Sequence, residues 1–230
     1  MVLLLLSGSL KTFETEPVRA VKEKKKLELS RLFKNYYLVT FLVLALILSL
    51  GSSTGPYLVY LMKEINMDTT LVGTASGIRV VGEIVIMISL TFIKRRISIP
   101  LLQAIAVTIT LSQVVIYMTV KNPAVIMAAL ILGGVSSGIV LGTRAVYLRT
   151  LAPEGLDTLT ITSYSSVHAL GSMIMSLAGG IIIDKSGVFT LYRISVVFIV
   201  SWLVLYFALW IFGKYVLKKE PPMPMLRPFR

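Results

Sequence analysis

The chain has 230 residues, 56% of them hydrophobic and only 15% charged, whereas a soluble domain carries about 25% charge. These proportions exclude a soluble fold and place the chain in the membrane class. The net charge of +12 would suggest nucleic acid in a soluble protein, but here the basic residues flank apolar runs, which is the pattern of membrane topology.

Met1–Leu10 is apolar but too short to span a bilayer, and it lacks the leading basic residue of a signal peptide. It reads as the tail of a helix whose beginning is missing. Residues 1–34 are therefore expected to be that remnant followed by a basic cytoplasmic linker, 35–216 a six-helix transmembrane bundle, and 217–230 a proline-containing cytoplasmic tail. The expected fold class is all-α and polytopic.

Six runs reach the roughly 20 residues that a spanning helix needs: Tyr36–Met62, Leu71–Ile93, Ile99–Val120, Ala124–Leu148, Leu159–Ile183 and Phe189–Phe212. Short breaks between them predict that neighbours in sequence pack as antiparallel neighbours. In the first run, Gly51, Ser52, Ser53, Gly55 and Pro56 predict a kink or opening, because proline lacks a donor. Freed backbone groups at membrane depth are tolerated where they line a cavity. Tyr57 and Tyr60 follow as cavity-lining candidates, with interfacial anchoring as the plainer alternative.

The second run carries Arg79 and Glu83 at a spacing that puts them on one face, where they can pair. An ionisable group at mid-membrane marks a pathway or proton relay by default; the plainer reading is an ion pair locking two helices. The fourth run holds Gly134, Gly138 and Gly142, and the fifth Ser172, Ser176 and Gly180. Such small-residue ridges allow close helix packing in lipid. Arg144, near the inner end of the fourth run, is explained by snorkelling to the interface. His168, in the fifth run, suits a proton carrier or a neutral histidine bonded to a hydroxyl.

Lysine and arginine cluster before the first run, at Lys94–Arg96, at Arg149 and after the sixth run. The positive-inside rule makes these sides cytoplasmic, with both termini inside a cell inner membrane. Tyr36, Tyr37, Tyr147, Tyr164 and Trp210 near inner ends, with Tyr57, Tyr60, Tyr117 and Tyr192 near outer ends, read as two aromatic belts.

Gly134-Val-Ser136-Ser137-Gly138 matches the G-x-S-x-G pattern of a serine nucleophile, with His168 as the imaginable base of an intramembrane protease. The pattern lies inside a helical run rather than at a strand-to-helix turn. No enzyme, cofactor or metal is expected. Cysteine is absent, which removes disulfides, thiolate metal sites and cysteine nucleophiles.

Four features carry a family resemblance. They are Arg31-Leu-Phe-Lys-Asn35 after a basic stretch, Gly82-Glu83 running into Lys94-Arg95-Arg96, Leu151-Ala-Pro-Glu154, and Ala178-Gly-Gly180 through Asp184-Lys-Ser-Gly187. In this order they resemble the C-terminal half of a major facilitator superfamily transporter, in the branch of lactose permease and nucleoside permeases. The resemblance implies that Glu83 contacts the solute and that His168 belongs to a charge network; the expected roles are that Glu83 binds substrate or a proton, that Arg79 orients Glu83 or meets an anionic group, and that His168 couples protonation to the cavity's charge balance. Gly133 and Ser136 stand where that permease carries a proton-coupling histidine and glutamate, and the helix-seven acidic pair is missing. Ser136 and Ser137 are weaker cavity-lining candidates. The family works as two six-helix bundles with the solute between them. The expected partners are therefore the bilayer, a small polar or anionic solute, and a separate N-terminal half or a self-associated copy, with no nucleic acid. A degenerate, non-transporting half is the alternative.

Overall fold

All six predicted spans are present as long apolar helices, and no strand occurs among the described residues. The computed structural model describes residues 30, 32–92, 97–218 and 222, with only the backbone described at 69, 72 and 91. The helix remnant at Met1–Leu10, most of the basic linker, Lys94–Arg96 and nearly all of the tail lie outside the described residues.

Helix α1 spans Tyr36–Ser52. It starts where it does because Asn35 caps it: its side-chain oxygen accepts from the Tyr37 and Leu38 amides at 3.1 and 3.4 Å, which are donors with no intrahelical partner. The Asn35 amide donates to the Leu151 carbonyl at 2.8 Å, tying the entry of the first span to the exit of the fourth. The span breaks where the glycine-serine-proline run predicts. Ser53 and Thr54 leave the helix, Gly55–Tyr57 forms a single 3-10 turn, and α2 resumes at Leu58–Glu64.

Helix α3 covers Val72–Phe92 and α4 covers Ile99–Thr119, the latter with Pro100 in its first turn. Helix α5 covers Pro123–Leu151, capped by Asn122. Helices α6, Asp157–Ser186, and α7, Val188–Tyr215, meet at Gly187. There φ is +80°, a conformation glycine adopts without a Cβ penalty, and it turns the chain with one residue.

The packing order differs from the one expected. Helix α3 packs chiefly on α5, the fourth span, rather than on its neighbours in sequence. Helix α5 also packs on α4, α1 lies against α6 and α7, and α7 joins α4. The main core gathers Leu61, Met62, Val107, Ile126, Tyr192, Ile199 and Trp202 between these helices.

The α3–α5 contact has a clear cause in the glycine ridge. A methyl at Gly138 would sit 2.7 Å from the Glu83 carbonyl oxygen, and one at Gly134 would sit 3.1 Å from the Glu83 amide nitrogen. Bare backbone lets the two helices touch, as small residues do in lipid. The ridge expected on α6 is offset. Gly180 faces open space, whereas Gly179 lies against the Tyr57 ring and Gly171 against Ser49.

The aromatic belts are also corrected. Tyr117, Tyr147, Tyr164 and Tyr192 are buried inside the bundle. Tyr117 and Tyr192 meet edge to face at 5.4 Å, and Phe41 joins Tyr147 and Tyr164 in a second aromatic cluster. These rings are core because helix rotation turns them inward, a variable that position along a span does not contain.

Candidate functional site: a polar cavity in the bundle

A cavity of about 450 Å³ opens between the helices. Polar side chains from six helices share its walls with leucines and valines. The α1 break supplies Ser52, Ser53 and Thr54; α3 supplies Ser76, Arg79 and Glu83; α4 supplies Thr110, Gln113 and Tyr117. Helix α5 adds Ser136, Ser137 and Arg144, α6 adds Tyr164 and His168, and α7 adds Tyr192.

Helix α3 turns its charges inward because Val80, Val81, Ile84, Val85 and Ile88 occupy its outer face and are exposed there. The glycine ridge of α5 then sets their depth, since the α3 backbone at Arg79–Glu83 rests directly on it. The expected Arg79–Glu83 pair is not formed. The Arg79 guanidinium crosses to α5 and donates to Ser137 Oγ at 3.0 Å. Glu83 makes no hydrogen bond or ion pair among the described residues, although it lines the cavity.

On α4 and α5 the hydroxyls are mutually satisfied. Thr110 and Ser136 share a hydrogen bond at 2.6 Å, and Ser136 also donates to the Ala106 carbonyl at 2.8 Å. The Gln113 amide donates to the Tyr117 hydroxyl at 2.7 Å. The break in α1 is held by Ser53, whose Oγ lies 2.8 Å from Ser172 Oγ on α6.

Three neighbouring side chains, Arg144, Tyr164 and His168, also line the cavity. The Arg144 guanidinium lies 5.0 Å from the Tyr164 ring centroid, and the Tyr164 ring stacks on His168 at 6.1 Å with 28° between planes. Arg144 does not snorkel outward as expected. It lines the cavity, and its Nε is buried with no hydrogen-bond partner.

Of the residues expected at the site, Arg79, Glu83, Ser136, Ser137 and His168 converge on one cavity. Tyr57 and Tyr60 do not line it. Tyr57 is buried, and its hydroxyl donates to the Ser176 carbonyl at 2.5 Å, so its polar end is spent pinning the broken helix to α6. Tyr60 is 49% exposed on the outside of α2. Sequence reasoning passed over Thr110 and Gln113, and it assigned Arg144 to the interface. A glutamine in the middle of an apolar span was a signal for Gln113.

The serine-nucleophile pattern sits in the middle of α5, without the strand-to-helix turn that exposes such a serine. Ser136 is committed to Ala106 and Thr110, and Ser137 accepts from Arg79. Neither serine is hydrogen-bonded to His168.

Six membrane-length helices around a polar cavity define a multi-pass membrane protein. The chain belongs to the MFS_1-like family, whose model matches residues 3–194, and this makes it a transporter-related protein. The match takes in the first five spans and the start of the sixth. No curated protein matches the chain.

Proposed function

We propose that this chain is one bundle of a secondary active transporter of the lactose permease and nucleoside permease branch. It moves a small polar or anionic solute by alternating access. One observation carries the reading: Glu83 and His168 face the cavity with no hydrogen bond or ion pair to the described protein. A carboxyl group kept unpartnered among membrane helices is costly, and such groups mark solute and proton pathways. Glu83 receives the solute or a proton, Arg79 fixes the local field from its seat on Ser137, and His168 adjusts the charge balance of the cavity, coupling flux to protons.

Six helices supply one wall of such a path, so the bundle works against a second one, either a separately encoded half or another copy of this chain. Both termini are read as cytoplasmic, in the cell inner membrane; the basic clusters flanking the spans support this through the positive-inside rule.

The test is solute uptake into proteoliposomes containing the chain alone, and containing the chain co-expressed with a candidate second bundle. Uptake in either preparation that is lost in Glu83→Gln supports the reading. Absence of uptake in both, with Glu83→Gln indistinguishable from wild type in solute binding as well, identifies a non-transporting bundle. Proteolysis of membrane substrates without flux would point to the serines instead.

A further inference from the structure

We infer that the transported solute is a monocarboxylate, and that Arg144 is the residue that receives its carboxylate. The inference rests on the transport reading above and names the solute class of the same cavity.

Charge is the first argument. Among the described lining residues, Arg79 and Arg144 are the permanent cations and Glu83 is the one carboxylate. With His168 neutral, one positive charge is left uncompensated. A monoanion neutralises it; a neutral sugar leaves it standing, and a dianion overshoots while facing the repulsion of Glu83. In a low-dielectric site that imbalance is costly.

Geometry is the second. Arg79 is already engaged by Ser137, whereas Arg144 makes no hydrogen bond or ion pair to any described residue. Its guanidinium lies over the face of Tyr164, and its Nε is buried without a hydrogen-bond partner. Buried donors are normally satisfied, and an orphan needs an explanation. A guanidinium's in-plane N–H donors form a fork that matches a carboxylate in a bidentate manner. The contact with the Tyr164 ring face at 5.0 Å engages the cation without using up its donors. Arg144 stands seven residues beyond Ser137 on α5, about two turns or roughly 10 Å. The separation leaves room for a small organic body between the Arg144 end and the Arg79–Glu83 end, within a volume of about 450 Å³.

The experiment measures thermal unfolding of the detergent-solubilised full chain against a panel of probes: acetate, hexanoate and benzoate as monocarboxylates, benzamide and methyl galactoside as neutral controls, and inorganic phosphate. The expected result is a concentration-dependent rise in Tm with at least one monocarboxylate and none with the controls or phosphate. Arg144→Gln should weaken that effect by about 10- to 100-fold, the loss of charge-assisted hydrogen bonds. Arg144→Lys should weaken it less, since the charge stays and the fork is lost. Circular dichroism confirms that each variant is folded; if Arg144→Gln is not, Arg144→Lys alone must still show the loss.

A Tm rise with benzamide or methyl galactoside equal to that with benzoate overturns the inference. So does a full benzoate response in folded Arg144→Gln, or no response of the wild type to any monocarboxylate. Uptake of a neutral solute together with these negative results would leave the transport reading intact. Carboxylate binding at Arg144 with no uptake by either proteoliposome preparation would sink transport while leaving the binding site.

Discussion

Arg79 donates to Ser137 Oγ at 3.0 Å, across the contact between α3 and α5, instead of pairing with Glu83 one turn along its own helix. The choice is a consequence of backbone proximity. With glycines beneath it, α3 comes so close to α5 that a hydroxyl on the neighbouring helix is a better acceptor than a carboxylate on the same one. Glu83 is thereby left free for a ligand.

Ser137→Ala removes that acceptor. The expected stability loss is small, about 1 kcal/mol, because Arg79 is only half-buried and keeps access to the cavity. Its effect on uptake should be larger than its effect on Tm, since the released guanidinium swings toward Glu83 and neutralises it. A rise in KM at nearly constant Tm is the expected signature; a loss of uptake that only tracks a loss of Tm would make Ser137 merely structural.

Gly138→Ala should destabilise the bundle by about 1–3 kcal/mol. The new methyl meets the Glu83 carbonyl oxygen at 2.7 Å and the Ile86 Cβ at 2.9 Å, and backbone cannot step aside as a flexible side chain can. Gly180→Ala is the matched control. Nothing lies within 4 Å of its Cβ, and its Tm in detergent should equal or slightly exceed that of the wild type. Reversal of this order would show that the ridge does not set the α3–α5 distance.

Tyr57→Phe deletes the hydroxyl that holds the broken first span against Ser176. Hydrogen bonds inside membrane bundles average about 0.6 kcal/mol and reach about 1.7, so a modest loss of Tm is expected. Tyr60→Phe should change neither Tm nor uptake, because its ring is exposed and lines no cavity. Uptake that collapses in Tyr60→Phe would return it to the solute path.

Asp68 lies in the turn between α2 and α3, outside the membrane-spanning helices. The Thr70 hydroxyl and backbone amide donate to it at 2.6 and 2.9 Å, and they hold its carboxyl below the usual value of 3.8. A folded-state value below the unfolded one means that the stabilisation is fully present above about pH 3.8 and fades as the pH falls through the lowered value. Carboxylate titration by NMR should place Asp68 below 3.8, and Thr70→Ala should raise it. A titration unchanged by Thr70→Ala would remove the hydroxyl, the larger cause, from the account.

The helices themselves were readable in advance, and so was the break at Pro56. Arg79, Glu83 and His168 could be picked out singly because an ionisable residue in a long apolar run is conspicuous whatever its rotation. Their partners could not. The i, i+4 spacing favoured an Arg79–Glu83 pair, and only the cross-helix approach diverted Arg79 to Ser137. Arg144 looked like a snorkelling residue because its distance from the end of α5 is compatible with that. In the bundle it instead lines the cavity, beside Tyr164 on the next helix. The tyrosines assigned to interfacial belts were misplaced for the same reason: position along the membrane normal can be counted from sequence, whereas rotation about the helix axis depends on which neighbour is there to pack.

Composition and run length by themselves determined the six helices, among the described residues, that are long and apolar enough to cross a membrane, because hydrocarbon admits helices that satisfy their own backbone. The resemblance to the major facilitator superfamily was likewise read from the order of short motifs, and the family model that matches residues 3–194 shows the family. Which helix lies against which, and therefore which charges remain unpaired and face a common space, was decided by the tertiary structure alone. In lipid the apolar faces are nearly equivalent, so helix partners are selected by where glycine permits backbone to touch backbone.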